Sequence, residues 1–246
     1  MSGFRVALVT GATSGIGRAA AEALARHGWW VAAHGRDSER GAEIAQRLDN
    51  RGDFFPADLT EPGAPQDLVD AVRERRGRLD LLVNNAAIYA RGPVDALEED
   101  LDALLALNVR AAVLLAGAAV RVMREQGGGV VVNVASEAGL VAVPGQVAYN
   151  VTKAALIMLS RSIAVDHAAQ GIRAVSVCPG TTRTPLVEAA IAAAADPAAH
   201  ERTLEESRPL GRLGTPEEIA AAIVYAAQAE FMTGSELVID GGYTAA

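Results

Sequence analysis

Seven short aliphatic and β-branched runs punctuate this chain, and the first six are each followed by a longer alanine-rich stretch. The runs are Arg5–Thr10, Trp29–His34, Asp53–Phe55, Leu79–Asn84, Val130–Ala135, Ile172–Cys178 and Glu236–Asp240. Residues such as Val6-Ala7-Leu8-Val9 and Val130-Val131-Val132 are apolar on both faces, the pattern of a parallel strand covered by helices on each side. Helical periodicity marks Gly15–His27, Ser38–Asp49, Ala64–Arg76, Leu97–Glu125 and Ala148–Ala169. This repeated βαβ alternation predicts an α/β fold: a doubly wound parallel sheet of about seven strands with right-handed crossovers and helices on both faces. A length of 246 residues without linker, repeat or low-complexity tract predicts a single domain spanning residues 1–246. The stretch Thr184–Gly214 exceeds an ordinary connection, is interrupted by Pro185, Pro197 and Pro209, and reads as a substrate lid containing mobile helices.

Composition narrows the partners. Half the residues are hydrophobic and only 4% aromatic, so the core is aliphatic. A net charge of −8 argues against a nucleic-acid groove or an anionic membrane surface. Cys178 is the single cysteine, and His27, His34, His167 and His200 show no ligand spacing, so neither a disulfide nor a metal site is expected. The opening residues run directly into a strand and a glycine loop, unlike a secretion leader. The apolar run Ala111–Val120, bounded by Arg110 and Arg121, is too short to span a bilayer. A cytoplasmic protein with a small-molecule substrate is expected.

The first strand ends in Thr10-Gly11-Ala12-Thr13-Ser14-Gly15-Ile16-Gly17, and a helix follows. Glycines at 11, 15 and 17 allow a sharp turn and close approach of backbone to a diphosphate, which the free N–H groups and positive dipole end of the helix would hold. Many such loops are only turns; position after an N-terminal strand and before a helix favours a Rossmann-type dinucleotide site.

Lys153 is the sole lysine against 21 arginines, and it stands four residues after Tyr149. In a chain whose default cation is arginine, one lysine marks a place where a compact ammonium is needed instead of a planar guanidinium. The alternative is a remnant of composition. At i and i+4 on a helix the two side chains share a face.

The glycine loop, Asn84-Asn85-Ala86-Ala87, Ser136, Tyr149-x-x-x-Lys153, Pro179-Gly180 and the ending Gly234–Gly242 occur in family order over nearly the whole chain, which resembles the short-chain dehydrogenase/reductase family, 3-oxoacyl reductases included. The resemblance implies one dinucleotide-binding and catalytic domain. It implies cofactor contacts from Gly11, Ser14, Gly15, Ile16 and Gly17, from Asp58-Leu59 beside the adenine, and from Asn85 at the adenosine ribose. It also implies contacts from Tyr149, Lys153, Pro179-Gly180, Thr182 and Thr184 at the nicotinamide end. Ala87 stands where the family has glycine. Family members are commonly tetramers joined through two long helices and the last strand, so a homotetramer is expected.

The end of the second strand selects the dinucleotide. An acidic side chain there would bind the ribose 2′-OH of NAD; this chain has Gly35-Arg36-Asp37, and Arg36 can pair with a 2′-phosphate. NADP(H) is predicted; the alternatives are that Asp37 is the ribose partner, which would favour NAD(H), or that Asp37 merely caps the next helix while Arg36 is solvated.

Carbonyl reduction needs a proton donor beside the hydride donor, and the resemblance gives that role to Tyr149. A free phenol titrates near 10, and burial pushes it higher. Bringing it near 7 requires about 4 kcal/mol at ~1.4 kcal/mol per unit. An ammonium about 4 Å away supplies that at an effective dielectric near 20, but only ~1 kcal/mol in water. Lys153 therefore suffices in a partly closed site, aided by an oxidised nicotinamide. Ser136 ends the fifth strand, where its hydroxyl can hold the substrate carbonyl. Asn108 lies mid-helix among apolar residues and must be hydrogen-bonded; it is either a kink residue bonded to backbone or, by resemblance, the holder of a water near Lys153.

The expected activity is therefore interconversion of a secondary alcohol and a ketone. The class-different alternative is a silent NADP(H)-sensing protein, which would be expected to lack Ser136, Tyr149 or Lys153. Enoyl reductases space their tyrosine and lysine more widely, and extended sugar epimerases need a longer C-terminal domain. Tyr89, Val141–Val147 and Thr184–Gly214 are expected to line a mostly apolar substrate pocket.

Overall fold

A computed structural model of the chain describes residues 4–96 and 101–246. Seven strands, β1 (Val6–Val9), β2 (Trp30–Gly35), β3 (Gly52–Pro56), β4 (Leu81–Asn84), β5 (Gly129–Val134), β6 (Ile172–Pro179) and β7 (Glu236–Ile239), form one sheet in the order β3-β2-β1-β4-β5-β6-β7. Every neighbouring pair is parallel. The order reverses between β1 and β4, and that switch point opens the crevice in which ligands of such sheets bind. Strand ends differ from the sequence expectation by a residue or two, the usual scatter of element boundaries.

The sheet is two-sided because alternate residues face opposite ways. Ala7 and Val9 join Val31, Ala33, Leu81 and Val83 under α1 (Gly15–Arg26) and α2 (Ser38–Leu48). Val6 and Leu8 join Trp30, Ala32 and Leu82 under α3 (Ala64–Arg76). Polar side chains cross the middle of the sheet as a hydrogen-bonded chain, in which Asn84 Oδ1 has no partner among the described residues. Asn84 Nδ2 donates to Asn133 Oδ1 at 2.9 Å, Asn133 Nδ2 to Ser160 Oγ at 2.8 Å, and Ser176 Oγ to Ser160 Oγ at 2.8 Å. Paired in this way, most of these buried polar groups escape the cost of an unmade bond and help to fix the register.

The long helix expected over Leu97–Glu125 is interrupted. Its first four residues, 97–100, lie outside the described residues. From there α4 (Leu101–Leu104) widens into a π-helical stretch, Leu105–Ala111, before α5 (Ala112–Glu125). Such widened turns frequently coincide with functional positions, and this one carries Asn108. The whole run Leu101–Glu125 is long and apolar enough to cross a membrane, with mean hydropathy 2.0, but half of its apolar window is buried inside the fold. The ten-residue limit inferred from Ala111–Val120 is thus too short, because flanking Arg110 and Arg121 do not end the helix.

Helix α6 (Val147–His167) carries Tyr149 and Lys153. Two further helices, α7 (Pro185–Ala192) and α8 (Pro197–Glu206), fill the segment expected to be a lid, each begun by proline at its first turn. One element escaped sequence reading: α9 (Pro216–Gln228), which packs on α1 through Ile219, Ala220 and Ile223. Its signal was present in Thr215-Pro216-Glu217-Glu218, a capping box in which Thr215 Oγ1 accepts from Glu218 N–H and Glu218 Oε2 accepts from Thr215 N–H.

Candidate active site

The glycine loop is held from both sides. Gly11 and Gly15 adopt left-handed backbone, φ +64° and +51°. Gly17 has an ordinary φ but no room: a Cβ there would enter the Gly11 carbonyl and the Asn85 amide. Ala12 N–H donates to the His34 carbonyl at 2.8 Å, and Asn85 Nδ2 donates to the Thr10 carbonyl at 2.8 Å. Thr10 Oγ1 accepts from the backbone N–H of Asn85 and Ala86 at 2.9 and 3.0 Å and donates to the Val83 carbonyl. Thr10 thereby locks the end of β1 to the end of β4 at the switch point.

A cleft of about 820 Å³ opens at the carboxyl ends of the strands. It brings together Gly11, Ser14, Gly15, Ile16, Asn85, Ser136, Tyr149, Lys153, Pro179, Gly180, Thr182 and Thr184, residues drawn from five separate sequence segments. Gly17, Arg36, Asp58, Leu59 and Asn108 are not among its lining residues. Gly17 is a packing glycine, and Leu59 is buried in the core beneath α3. Arg36 is exposed and lies 3.6 Å from Asp58, whose carboxylate also accepts from Thr60 N–H and Oγ1. Asp37 Oδ1 accepts from Glu39 and Arg40 N–H and so caps α2.

Asn108 is fully committed. Its Oδ1 accepts from Ile88 N–H at 2.9 Å, and its Nδ2 donates to the Ile88 carbonyl at 2.9 Å and to Thr152 Oγ1 at 3.3 Å. Thr152 Oγ1 in turn donates to the Tyr149 carbonyl at 2.9 Å. The amide therefore ties the segment after β4 to the first turn of α6.

The Lys153 side chain is buried, and its Nζ donates to the Val134 carbonyl at 2.8 Å while standing 5.5 Å from the centre of the Tyr149 ring. Tyr89 packs edge-on to Tyr149, centroids 5.1 Å apart at 78°, and its hydroxyl accepts from Arg91 Nε at 2.9 Å. Ser136 caps the short turn Glu137–Gly139 by accepting from Ala138 N–H. The lid segment reaches the glycine loop through Thr184, whose side chain would meet a Cβ at Gly15.

The pocket wall is more polar than its sequence suggested. Glu137, His200, Thr203, Ser207, Arg208 and Tyr243 all contribute. Glu137 and Arg208 form a buried ion pair, Nη2 to Oε1 at 2.7 Å. No motif announced that pair, since its members lie far apart in the chain and meet only in the fold.

The chain matches a family model described as enoyl-(acyl carrier protein) reductase over residues 11–244. It is 44% identical over 247 residues to an uncharacterized oxidoreductase of Thermotoga maritima, covering 98% of each chain. It is 37% identical to a D-threitol dehydrogenase of Mycolicibacterium smegmatis, over 98% of this chain and 93% of that one. A cyclopentanol dehydrogenase of Comamonas testosteroni is 36% identical, with 98% and 97% covered. A solved short-chain type dehydrogenase/reductase from Mycobacterium marinum superposes with a TM-score of 0.90 at 35% identity, covering 99% of this chain and 97% of that one. The chain belongs to the short-chain dehydrogenase/reductase family.

In this short-chain dehydrogenase/reductase the electrostatics of the bare chain depart from the sequence expectation. Burial pushes the Tyr149 phenol up to about 12; the Ser136 side chain lowers it by hydrogen bonding, and Tyr89 and Glu137 raise it further. Burial brings Lys153 down to about 8. Desolvation thus dominates the phenol, and one of the three donors of the Lys153 ammonium goes to the Val134 carbonyl. The cleft nevertheless fits a dinucleotide. Gly11, Ser14, Gly15 and Ile16 line the cleft at the start of α1, and the two glycines with left-handed backbone present no side chain there.

Proposed function

We propose that this chain interconverts a secondary alcohol and its ketone with an NADP(H) cofactor, NADP preferred over NAD. The observation that carries the reading is the convergence of Ser136, Tyr149 and Lys153 on the cleft that the glycine loop also lines. The dinucleotide, when bound, supplies the hydride donor or acceptor. Gly11, Ser14, Gly15 and Ile16 would hold its diphosphate at the start of α1, and Pro179, Gly180, Thr182 and Thr184 would hold its nicotinamide end. Ser136 holds the reacting oxygen. Tyr149 gives that oxygen a proton in reduction and takes it in oxidation. Lys153 lowers the phenol's proton affinity once a closed site raises the strength of its charge. Asn108 positions the first turn of α6 through Thr152.

Two features support NADP(H): Gly35 offers no carboxylate, and Asp37, engaged as the cap of α2, is not free to take a ribose hydroxyl, while Arg36 lies exposed at the end of β2. The silent-sensor reading is disfavoured by the presence of all three reacting side chains. The four-residue spacing of tyrosine and lysine and the alcohol dehydrogenases among the relatives favour alcohol oxidation over enoyl reduction. The protein acts in the cytoplasm as a homotetramer. Exposed Val151, Met158 and Val165 recur at seven-residue spacing along α6, and Val113 and Leu114 of α5 and Val238 of β7 are exposed as well. Residues 184–214 serve as the lid.

Steady-state rates with secondary alcohols and ketones and both dinucleotides test the activity. Turnover surviving unchanged in Tyr149→Phe would remove the mechanism.

A further inference from the structure

The wall of the cleft is charged against the sign of the chain. The protein carries a net charge of −8, yet the charged residues lining the cleft are one carboxylate, Glu137, and three cations, Arg91, Lys153 and Arg208. Two of these cations are buried and engaged. Arg208 pairs with Glu137 at 2.7 Å, and Lys153 sits beside Tyr149 with its Nζ on the Val134 carbonyl. Arg91 differs from both. It is exposed, and among the described residues it bonds no carboxylate. Its guanidinium makes one hydrogen bond there, Nε to the Tyr89 hydroxyl at 2.9 Å. That bond fixes one edge of the group and leaves its two terminal nitrogens, the fork that matches a carboxylate, open to the cleft.

The contacts of this segment put the cation at the substrate end. Tyr89 packs edge-on to Tyr149, ring centres 5.1 Å apart, so a single ring separates the guanidinium from the reacting phenol. Gly92 N–H donates to the Gly145 carbonyl at 2.9 Å, and Gly92 is bridged to Gln146. Arg91 is thereby moored to the connection that enters α6, the helix of Tyr149 and Lys153. Val143, Pro144 and Gln146 of that connection line the cleft as well, with Leu186 and Val187 of α7. The glycine loop, which would take the dinucleotide's diphosphate, lies instead at the start of α1. An accessible guanidinium without an acid forms short, charge-assisted bonds to anions, and a cationic cleft in an acidic protein draws anions toward it. Because the Tyr89 ring intervenes, such an anion stands several bonds from the carbon that reacts at Tyr149, and the apolar residues of the wall suit the methylenes between.

We propose that Arg91 is a specificity-determining residue that binds a carboxylate at the far end of the substrate, so that this enzyme prefers an oxo acid or hydroxy acid to the neutral ketone or alcohol of the same length. The inference rests on the oxidoreductase reading above and deepens it by naming the substrate class. Tyr89 acts as a positioning residue that holds the guanidinium toward the cleft.

The test compares kcat/KM for reduction of 3-oxobutanoate, 4-oxopentanoate and 5-oxohexanoate, each against its own amide, with both reduced dinucleotides. The amide keeps the shape and removes the charge. The expected result is a preference of at least about 10-fold for one or more of the acids, the scale of a hydrogen bond to a charged group, expressed chiefly in KM. The preference should shrink as salt rises, because an accessible ion pair is screened. Arg91→Gln should bring the acid-to-amide ratio to within about 2-fold of unity. Equal reduction of acids and amides by the wild-type enzyme overturns the inference and leaves the oxidoreductase reading standing. An undiminished acid preference in Arg91→Gln overturns the assignment to Arg91. Turnover of none of the six compounds, nor of any neutral secondary alcohol or ketone, removes the underlying reading and this inference with it.

Discussion

Lys153 Nζ donates to the Val134 carbonyl at 2.8 Å, so the one lysine of the chain bonds the last residue of β5, two residues before Ser136. A guanidinium in that buried position would need more room and would present its charge in a plane. Lys153→Arg and Lys153→Ala are both expected to fold, by circular dichroism, and to lose at least ~10²-fold in kcat, the scale of an acid–base group. Wild-type turnover in Lys153→Arg would show that only the charge matters.

Tyr149 should resist ionisation in the bare chain. Its phenol stands at about 12, chiefly because burial disfavours the anion. The difference absorbance between wild type and Tyr149→Phe should therefore lack a phenolate signal at pH 10, where free tyrosine is about half ionised. A group whose folded value is raised stabilises the fold fully below its unfolded value, so this contribution persists up to about pH 10 and fades as pH rises toward 12. Adding oxidised NADP should move the titration down; an unmoved titration would count against the coupling of phenol to cofactor.

Arg36 sets the dinucleotide if the reading of β2 holds. Arg36→Ala should lower the NADP-to-NAD ratio of kcat/KM by at least about 10-fold, the loss of one charge-assisted phosphate contact. An unchanged ratio would transfer the selection to another residue.

Gly17 is constrained by space, since its φ is unremarkable. Gly17→Ala forces a methyl against the Gly11 carbonyl, and the loop must move away from the cleft. Dinucleotide affinity, measured by calorimetry, should fall at least about 10-fold, because the diphosphate needs close backbone approach.

Asn108 bonds both backbone groups of Ile88. Asn108→Ala leaves a part-buried N–H and C=O of Ile88 unmatched, at up to about 1–3 kcal/mol each. Urea unfolding should report a loss of about 2–4 kcal/mol, alongside reduced kcat if the first turn of α6 relaxes.

Much of this protein was legible in order and spacing. The two-faced apolar runs specify a buried parallel sheet, because each strand residue must meet a helix on one side or the other. The glycine loop and the Tyr149–Lys153 pair are local patterns, set by backbone sterics and by helical repeat, and they need no distant partner to be read. The helix α9 is also written locally, in its capping box.

Other properties belong to the tertiary structure alone. The widened turn carries Asn108, whose amide satisfies a segment twenty residues away in sequence. The high proton affinity of Tyr149 follows from desolvation, a property of everything packed around it and of no single neighbour. The pairing of Glu137 with Arg208 joins residues 71 positions apart. Hydrogen bonds and burial over such separations depend on where the sheet carries each strand end, and composition and periodicity do not encode that. The sequence determined the scaffold and the reacting side chains; the assembled fold decided their proton affinities and gave the pocket its polar wall.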